Sequence, residues 1–181
     1  MLRLEVDEEI SLCLCSPDMA EPIFSIVDAQ RPWLERWLAW PPEIKSPDDA
    51  LNMIRQQLHL LAERELMPLC IIYRGQLAGG IHLQQIDWRI ETGRVGYWLS
   101  EDCTGKGIMR RALEKMMRLA FEEWQLVRLE IRVASDNAAS RRVIERAGFL
   151  HEGRIRHAEK LGNIIVDHDI YGLMKEEWRA R

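Results

Sequence analysis

The chain has 181 residues, 47% hydrophobic and 30% charged, the proportions of a globular domain able to build its own core. Its 25 Lys and Arg against 29 Asp and Glu give a net charge of −4, which argues against direct nucleic-acid binding, since that relies on clustered positive charge. No apolar run reaches the ~20 residues that span a bilayer, and the run from Met1 to Glu9 lacks the basic region and apolar core of a secretory signal, so no membrane partner is expected.

No repeat, low-complexity tract or long linker breaks the chain, so residues 1–181 read as one domain. Ser11 to Cys15 has the pattern of a first strand. Cys13 and Cys15 fall on one face of it and, with Cys70 and Cys103, form no C-x-x-C pair; they read as small buried hydrophobes in a reducing, cytoplasmic compartment. Ser16-Pro17-Asp18 supplies cap chemistry for a helix over Met19 to Ala29, with Pro22 tolerated in its first turn.

Trp33, Trp37 and Trp40 then recur at spacings of four and three, which predicts one helical stripe. That stripe is either core or one wall of a substrate cleft. Ser46-Pro47-Asp48-Asp49 begins a helix that runs to about Glu65, with Leu51, Ile54, Leu58 and Leu61 on its inner side. Leu69 to Tyr73 and Leu77 to Leu83 flank a turn at Arg74-Gly75-Gln76 and read as a hairpin. Arg94 to Ser100 is a further strand, and a helix should run from near Gly107 to Trp124. Leu126 to Val133 alternates cleanly as a strand, Asp136-Asn137 caps a helix that stops at Gly148, and Leu150 to Ile155 and Val166 to Leu173 are the last strands. Helices and strands interspersed in this way give an α/β domain with a mixed sheet.

The segment Tyr97 to Leu113 carries the most chemistry. A strand ends, a Gly105-Lys106-Gly107 turn follows, and an amphipathic helix begins. Amides from Gly105 to Arg110 at the positive end of a helix dipole suit phosphate oxygens, and Lys106, Arg110 and Arg111 add charge. The spacing excludes a P-loop, and Arg110 stands where a dinucleotide fingerprint needs its third glycine. A second strand-to-helix turn follows at Val133 to Asn137, and its helix closes on Gly148-Phe149.

Together these segments resemble the GNAT family of acyl-CoA-dependent N-acetyltransferases. Thr104-Gly-Lys-Gly-Ile-Met109 matches its pyrophosphate loop at the central glycine, and the spacing from Asn137 to Gly148-Phe149 matches its next motif. The chain is similar in particular to the RimJ/RimL type, which includes the ribosomal-protein-serine N-acetyltransferases. The features shared with that type are Trp33 to Pro41, Val95-Gly-Tyr-Trp-Leu99, Gly105 to Met109, Asp136-Asn-x-x-Ser140 and Ala158-Glu-x-Leu161.

The resemblance implies a mixed central sheet of about seven strands flanked by helices. It implies an amine that attacks the thioester of acetyl-CoA directly, with no metal. Thr104, Gly105, Lys106, Gly107, Ile108, Met109 and Arg110 would hold the pyrophosphate, and Tyr97, Trp98 and Leu99 would run beside the pantetheine arm. A backbone N–H near Leu99 would polarise the carbonyl. Asn137 would bond the pantetheine arm, act as a plain N-cap, or do both. Glu159 would be the general base and Ser140 a donor to the leaving thiolate. Trp33, Trp37 and Trp40 would face the acceptor. The chain departs from much of the family in two places: Ile144 stands where a tyrosine acid is common, and Arg94 where a strand glutamate is common. The acceptor implied is a protein N-terminus, such as that of a ribosomal protein, and a homodimer is also implied. The alternatives are a small-molecule amine as acceptor, or a non-catalytic acyl-CoA-binding module. His157 and His168 lie close to Glu159 in the sequence and have the pKa range of a base.

Overall fold

A computed structural model describes residues 3–181; Met1 and Leu2, at the head of the N-terminal run, lie outside the described residues. Eight strands form one sheet in the order β1-β2-β3-β4-β5-β6-β8-β7. They are β1 (Arg3–Glu5), β2 (Ile10–Leu14), β3 (Leu66–Tyr73), β4 (Gln76–Asp87), β5 (Thr92–Leu99), β6 (Arg128–Ala134), β7 (Leu150–Leu161) and β8 (Ile164–Met174). The sheet thus has eight strands and not seven. The extra one, β1, has three residues among acidic neighbours, too short to show an alternation, and it pairs Arg3 to Cys13 and Glu5 to Ser11. Among the described residues no helix is long and apolar enough to cross a membrane.

The β3–β4 hairpin turns on Arg74 and Gly75, both with positive φ (50° and 80°), the handedness that matches strand twist in a two-residue loop. Helices α1 (Ala20–Ala29), α2 (Arg31–Glu35) and α3 (Pro47–Ala62) cover one face, and α4 (Ile108–Arg118) and α5 (Ala138–Arg146) the other. Ser46 caps α3, its Oγ accepting from the Asp49 N–H. On α4, Ile108, Met109, Ala112, Leu113, Met116 and Met117 recur every three to four residues and are all buried. The helix ends in a wider π-turn over Leu119–Glu123. A short helix α6 (Lys175–Arg179) closes the chain.

Two expectations need correction. The tryptophan segment is not one helix. The α2 helix stops at Glu35, and a 3-10 turn forms at Pro41–Glu43. Arg31 folds the segment back on itself, donating from its guanidinium to the carbonyls of Pro41 (2.8 Å) and Ile44 (2.9 Å). The last hairpin is also longer than the alternation suggested. Register slips between Ile155 and Glu159, with His157 at φ 51°, and such a bulge erases the period-two signal across it.

Candidate active site

Strands β5 and β6 run parallel but pair only at Thr92–Arg128, Gly93–Leu129 and Arg94–Glu130. Arg94 Nε meets Glu130 at 2.8 Å on the last rung. Beyond it the strands diverge and leave a gap in the sheet. The Ser100 N–H donates to the Ala78 carbonyl at 2.8 Å, which fixes the phase of the antiparallel β4–β5 ladder. Residues 94, 96, 98 and 100 therefore bond to β4, and the main-chain groups of Val95, Tyr97 and Leu99 point into the gap.

Past the end of β5 the chain makes a 3-10 turn at Glu101–Cys103 and reaches Gly105 and Gly107, with φ of 73° and 69°. Neither position would bring a Cβ within 4 Å of another group. Glycine is needed there for its backbone conformation, not for room. Gly107 is the N-cap of α4, so the free amides of the first turn follow directly. Among the side chains, Ile108 and Met109 are core (1% and 7% exposed), so only their main chain can face a ligand. The Thr104 hydroxyl donates to the Glu101 carbonyl at 2.7 Å. Lys106 lies over the Tyr73 ring at 5.9 Å, and Arg110 is exposed. Arg111 does not add free charge to the loop, because it bridges Asp7 (2.8 Å) and Glu9 (3.3 Å).

The gap has two differently furnished faces. Tyr97 points to the α4–α5 side, where its hydroxyl lies 2.7 Å from Ser140 Oγ. Burial pushes the Tyr97 phenol up to about 12, against a smaller downward pull from the Ser140 bond, so it stays protonated. Asn137 caps α5: its Oδ1 accepts from the Ser140 N–H at 3.2 Å. Ile144 is fully buried and presents nothing to the gap.

Trp98 points to the opposite face, where Trp40 meets it edge-on at 5.6 Å. Trp33 Nε1 donates to the Leu99 carbonyl at 3.3 Å. Those two tryptophans join β5; Trp37 instead lies under the Arg36 guanidinium at 5.1 Å. His82 rests against Gly96, where a Cβ would come within 2.5 Å of its Nε2. Burial lowers the His82 imidazole to about 4, so it is neutral. A cavity of about 30 Å³ beside it, lined in part by Cys15, Met53, Gln57 and Trp98, has room for a water or two.

On β6, Leu129, Ile131 and Val133 are buried toward α4 and α5, so Arg132 and Ala134 face the other way. His168 pairs directly with Ala134 and shares that open face. Its Nε2 lies 3.0 Å from Glu159 Oε2, with the side chains 16% and 33% exposed. The neighbouring Asp169 points to the α5 side and is 1% exposed; Arg154 meets it at 2.8 Å and His151 at 3.3 Å. The Arg154 guanidinium holds its carboxyl below the usual carboxylate range. The Tyr97–Ser140 and Glu159–His168 pairs were not foreseen as pairs, and neither has a signal in local spacing.

Residues 12–150 match the family described as the acetyltransferase (GNAT) domain. The chain is 32% identical to YdaF of Bacillus subtilis (strain 168), provisionally named a ribosomal N-acetyltransferase, across 99% of both chains. It is 27% identical to the ribosomal-protein-serine acetyltransferase of Escherichia coli (strain K12), over 93% of this chain and 94% of that one. Among solved structures, the microcin C7 self-immunity acetyltransferase MccE in complex with acetyl-CoA and AMP superposes with a TM-score of 0.89 at 27% identity, covering 93% of this chain and 94% of that one.

Proposed function

The chain belongs to the GNAT acetyltransferase family and is an acetyl-CoA-dependent N-acyltransferase; from that premise we propose that its acceptor is the α-amine of a polypeptide, such as a ribosomal protein, in the cytoplasm. The observation that carries the reading is the gap beyond Arg94, with main-chain groups of Tyr97 and Leu99 facing into it. The open face of β6 beside it carries Ala134, paired with His168, which Glu159 meets at 3.0 Å. The two relatives named for ribosomal acetylation over nearly their full lengths support the acceptor class. The free thiols among the described residues suit a reducing compartment.

Acetyl-CoA, when bound, supplies an acetyl thioester activated toward amines. The chain's groups fit it. Amides from Gly105 to Arg110, with Lys106 and Arg110 beside them, would hold the diphosphate. Tyr97 and Leu99 would bond the pantetheine arm as a neighbouring strand would, with Trp98 and Asn137 flanking it. The Leu99 N–H would polarise the thioester carbonyl, a contribution typically near 3 kcal/mol for one preorganised donor. Glu159 would take the proton from the ammonium on the open face. Ser140, held by Tyr97, would donate to the departing sulfur on the other. An α-amine titrates near 8 and an alkyl amine near 10, so an α-amine asks less of a carboxylate. Trp33 and Trp40, with Trp37 beyond them, would form the wall past which the acceptor enters.

A small-molecule acceptor is the second reading, supported by the likeness to MccE, solved with acetyl-CoA and AMP, and by the aromatic wall of Trp33, Trp40 and Trp98. One screen decides between the two. Thiol release from acetyl-CoA is measured with N-terminal peptides beside polyamines, amino acids and aminoglycosides. Peptides should give the highest kcat/KM; a faster small amine would overturn the polypeptide reading.

A further inference from the structure

We propose that His168 is a positioning residue for Glu159, and that its own protonation switches the site off. The proposal rests on the reading of Glu159 as the base.

The geometry is specific. His168 sits on β8 opposite Ala134, where β6 borders the gap, and Glu159 follows the bulge in β7. The bulge is held by the His157 N–H, which donates to Asp167 Oδ1 at 2.9 Å. The two extra β7 residues set Glu159 opposite Val166 instead of Ile164, one pair from His168 on the same face. The resulting contact is 3.0 Å, and the imidazole is the less exposed partner. The carboxylate therefore meets the solvent side, and the ring stands behind it. With Nε2–H donated to Oε2, one carboxylate oxygen is fixed, and the other is free for the ammonium proton. Neutral imidazole thus orients the base.

Protonation at Nδ1 changes this. A full positive charge then stands 3.0 Å from the carboxylate, lowers its basicity and repels an incoming ammonium. The other charged groups around the ring do not mimic that effect. On β6, Arg132 is held by Glu130 at 2.7 Å. On β8 itself, Asp167 and Asp169 alternate to the other face, where Arg154 and His151 engage Asp169. On β7, Ile155 is the residue directly opposite.

The test is the pH dependence of kcat at saturating acceptor and acetyl-CoA, so that the free acceptor's ionisation drops out. The wild-type enzyme should lose activity on the acid side along a limb that needs the imidazole. His168→Gln keeps a donor but cannot titrate. At pH 8 it should retain kcat within about threefold, and its acid limb should lie at lower pH than that of the wild type. His168→Phe, which lacks the donor, should lose at least about tenfold in kcat, with the KM for acetyl-CoA unchanged. An unmoved limb in His168→Gln, or full kcat in His168→Phe, overturns the proposal. A second measurement needs no turnover. The NMR resonances of the His168 ring should move when Glu159→Gln removes the carboxylate it touches at 3.0 Å; unchanged resonances overturn the pairing. Glu159→Gln also separates the two readings. If it keeps full activity, Glu159 is not the base. If it loses about a hundredfold or more while both His168 variants behave as wild type, only the role of His168 falls.

Discussion

The two flanks of the β5–β6 gap are built from different materials. On the α4 side the groups free to meet a ligand would be main-chain amides at Gly105 and Gly107, and most nearby side chains are turned elsewhere: Ile108 and Met109 into the core, Arg111 onto Asp7 and Glu9. On the open side they would be side chains, Trp33, Trp40 and Glu159, with Trp98 and His168 packed against them. A flank made of backbone can hold one ligand while its side chains vary, provided the glycines remain. A flank made of side chains can change its ligand with a few substitutions. On the proposed reading the first flank would report the co-substrate and the second the acceptor.

The largest test of this contrast is Gly107→Asp. The left-handed backbone there costs an L-residue about 1–2 kcal/mol, and the new carboxylate faces the diphosphate. Acetyl-CoA affinity, read by calorimetry, should fall by on the order of a hundredfold, converting about 1.4 kcal/mol per factor of ten. Unchanged affinity would break the assignment of this flank.

Tyr97→Phe should have a smaller effect. Without the phenol, Ser140 loses its 2.7 Å partner, and kcat should drop by roughly tenfold, less than the ~100-fold of removing a positioned donor outright. The same variant has a stability signature. The folded phenol titrates at about 12 against about 10 unfolded, so folding favours the protonated form. That contribution is complete below pH 10 and is lost as pH climbs through 12. Melting temperature over pH 10–12 should decline less steeply in Tyr97→Phe than in wild type.

The smallest effect belongs to Trp40→Ala. It removes the edge contact on Trp98 and should raise the acceptor KM by about three- to tenfold, the range of 0.5–1.5 kcal/mol for an aromatic pair. The KM for acetyl-CoA should not move. An equal rise in both would show that the two flanks are not independent.

What was legible in the sequence was local. The Ser46 cap, the two-residue turn at Arg74-Gly75 and the glycine-bracketed start of α4 depend on neighbours within a few positions, and each forms where the pattern placed it. The tryptophan spacing misled because Arg31 closes onto Pro41 and Ile44 and ends the helix early. Glu159 carried a motif, but its partner did not. The bulge at His157 sets their register, and its two extra β7 residues are what bring Glu159 level with Val166 instead of Ile164. Tyr97 and Ser140 lie 43 positions apart, and only the assembled sheet brings them together.

Among the described residues, the β5–β6 ladder joining the five strands β1–β5 to the three strands β6, β8 and β7 has rungs only from Thr92 to Arg94. The sheet is thus two half-sheets joined by a short ladder. A co-substrate seated between them would act as a staple, adding rungs where the protein has none. Thermal stability should then climb with the logarithm of its concentration. The backbone amides of Val95, Tyr97 and Leu99 should be the first to slow in hydrogen exchange as the site fills.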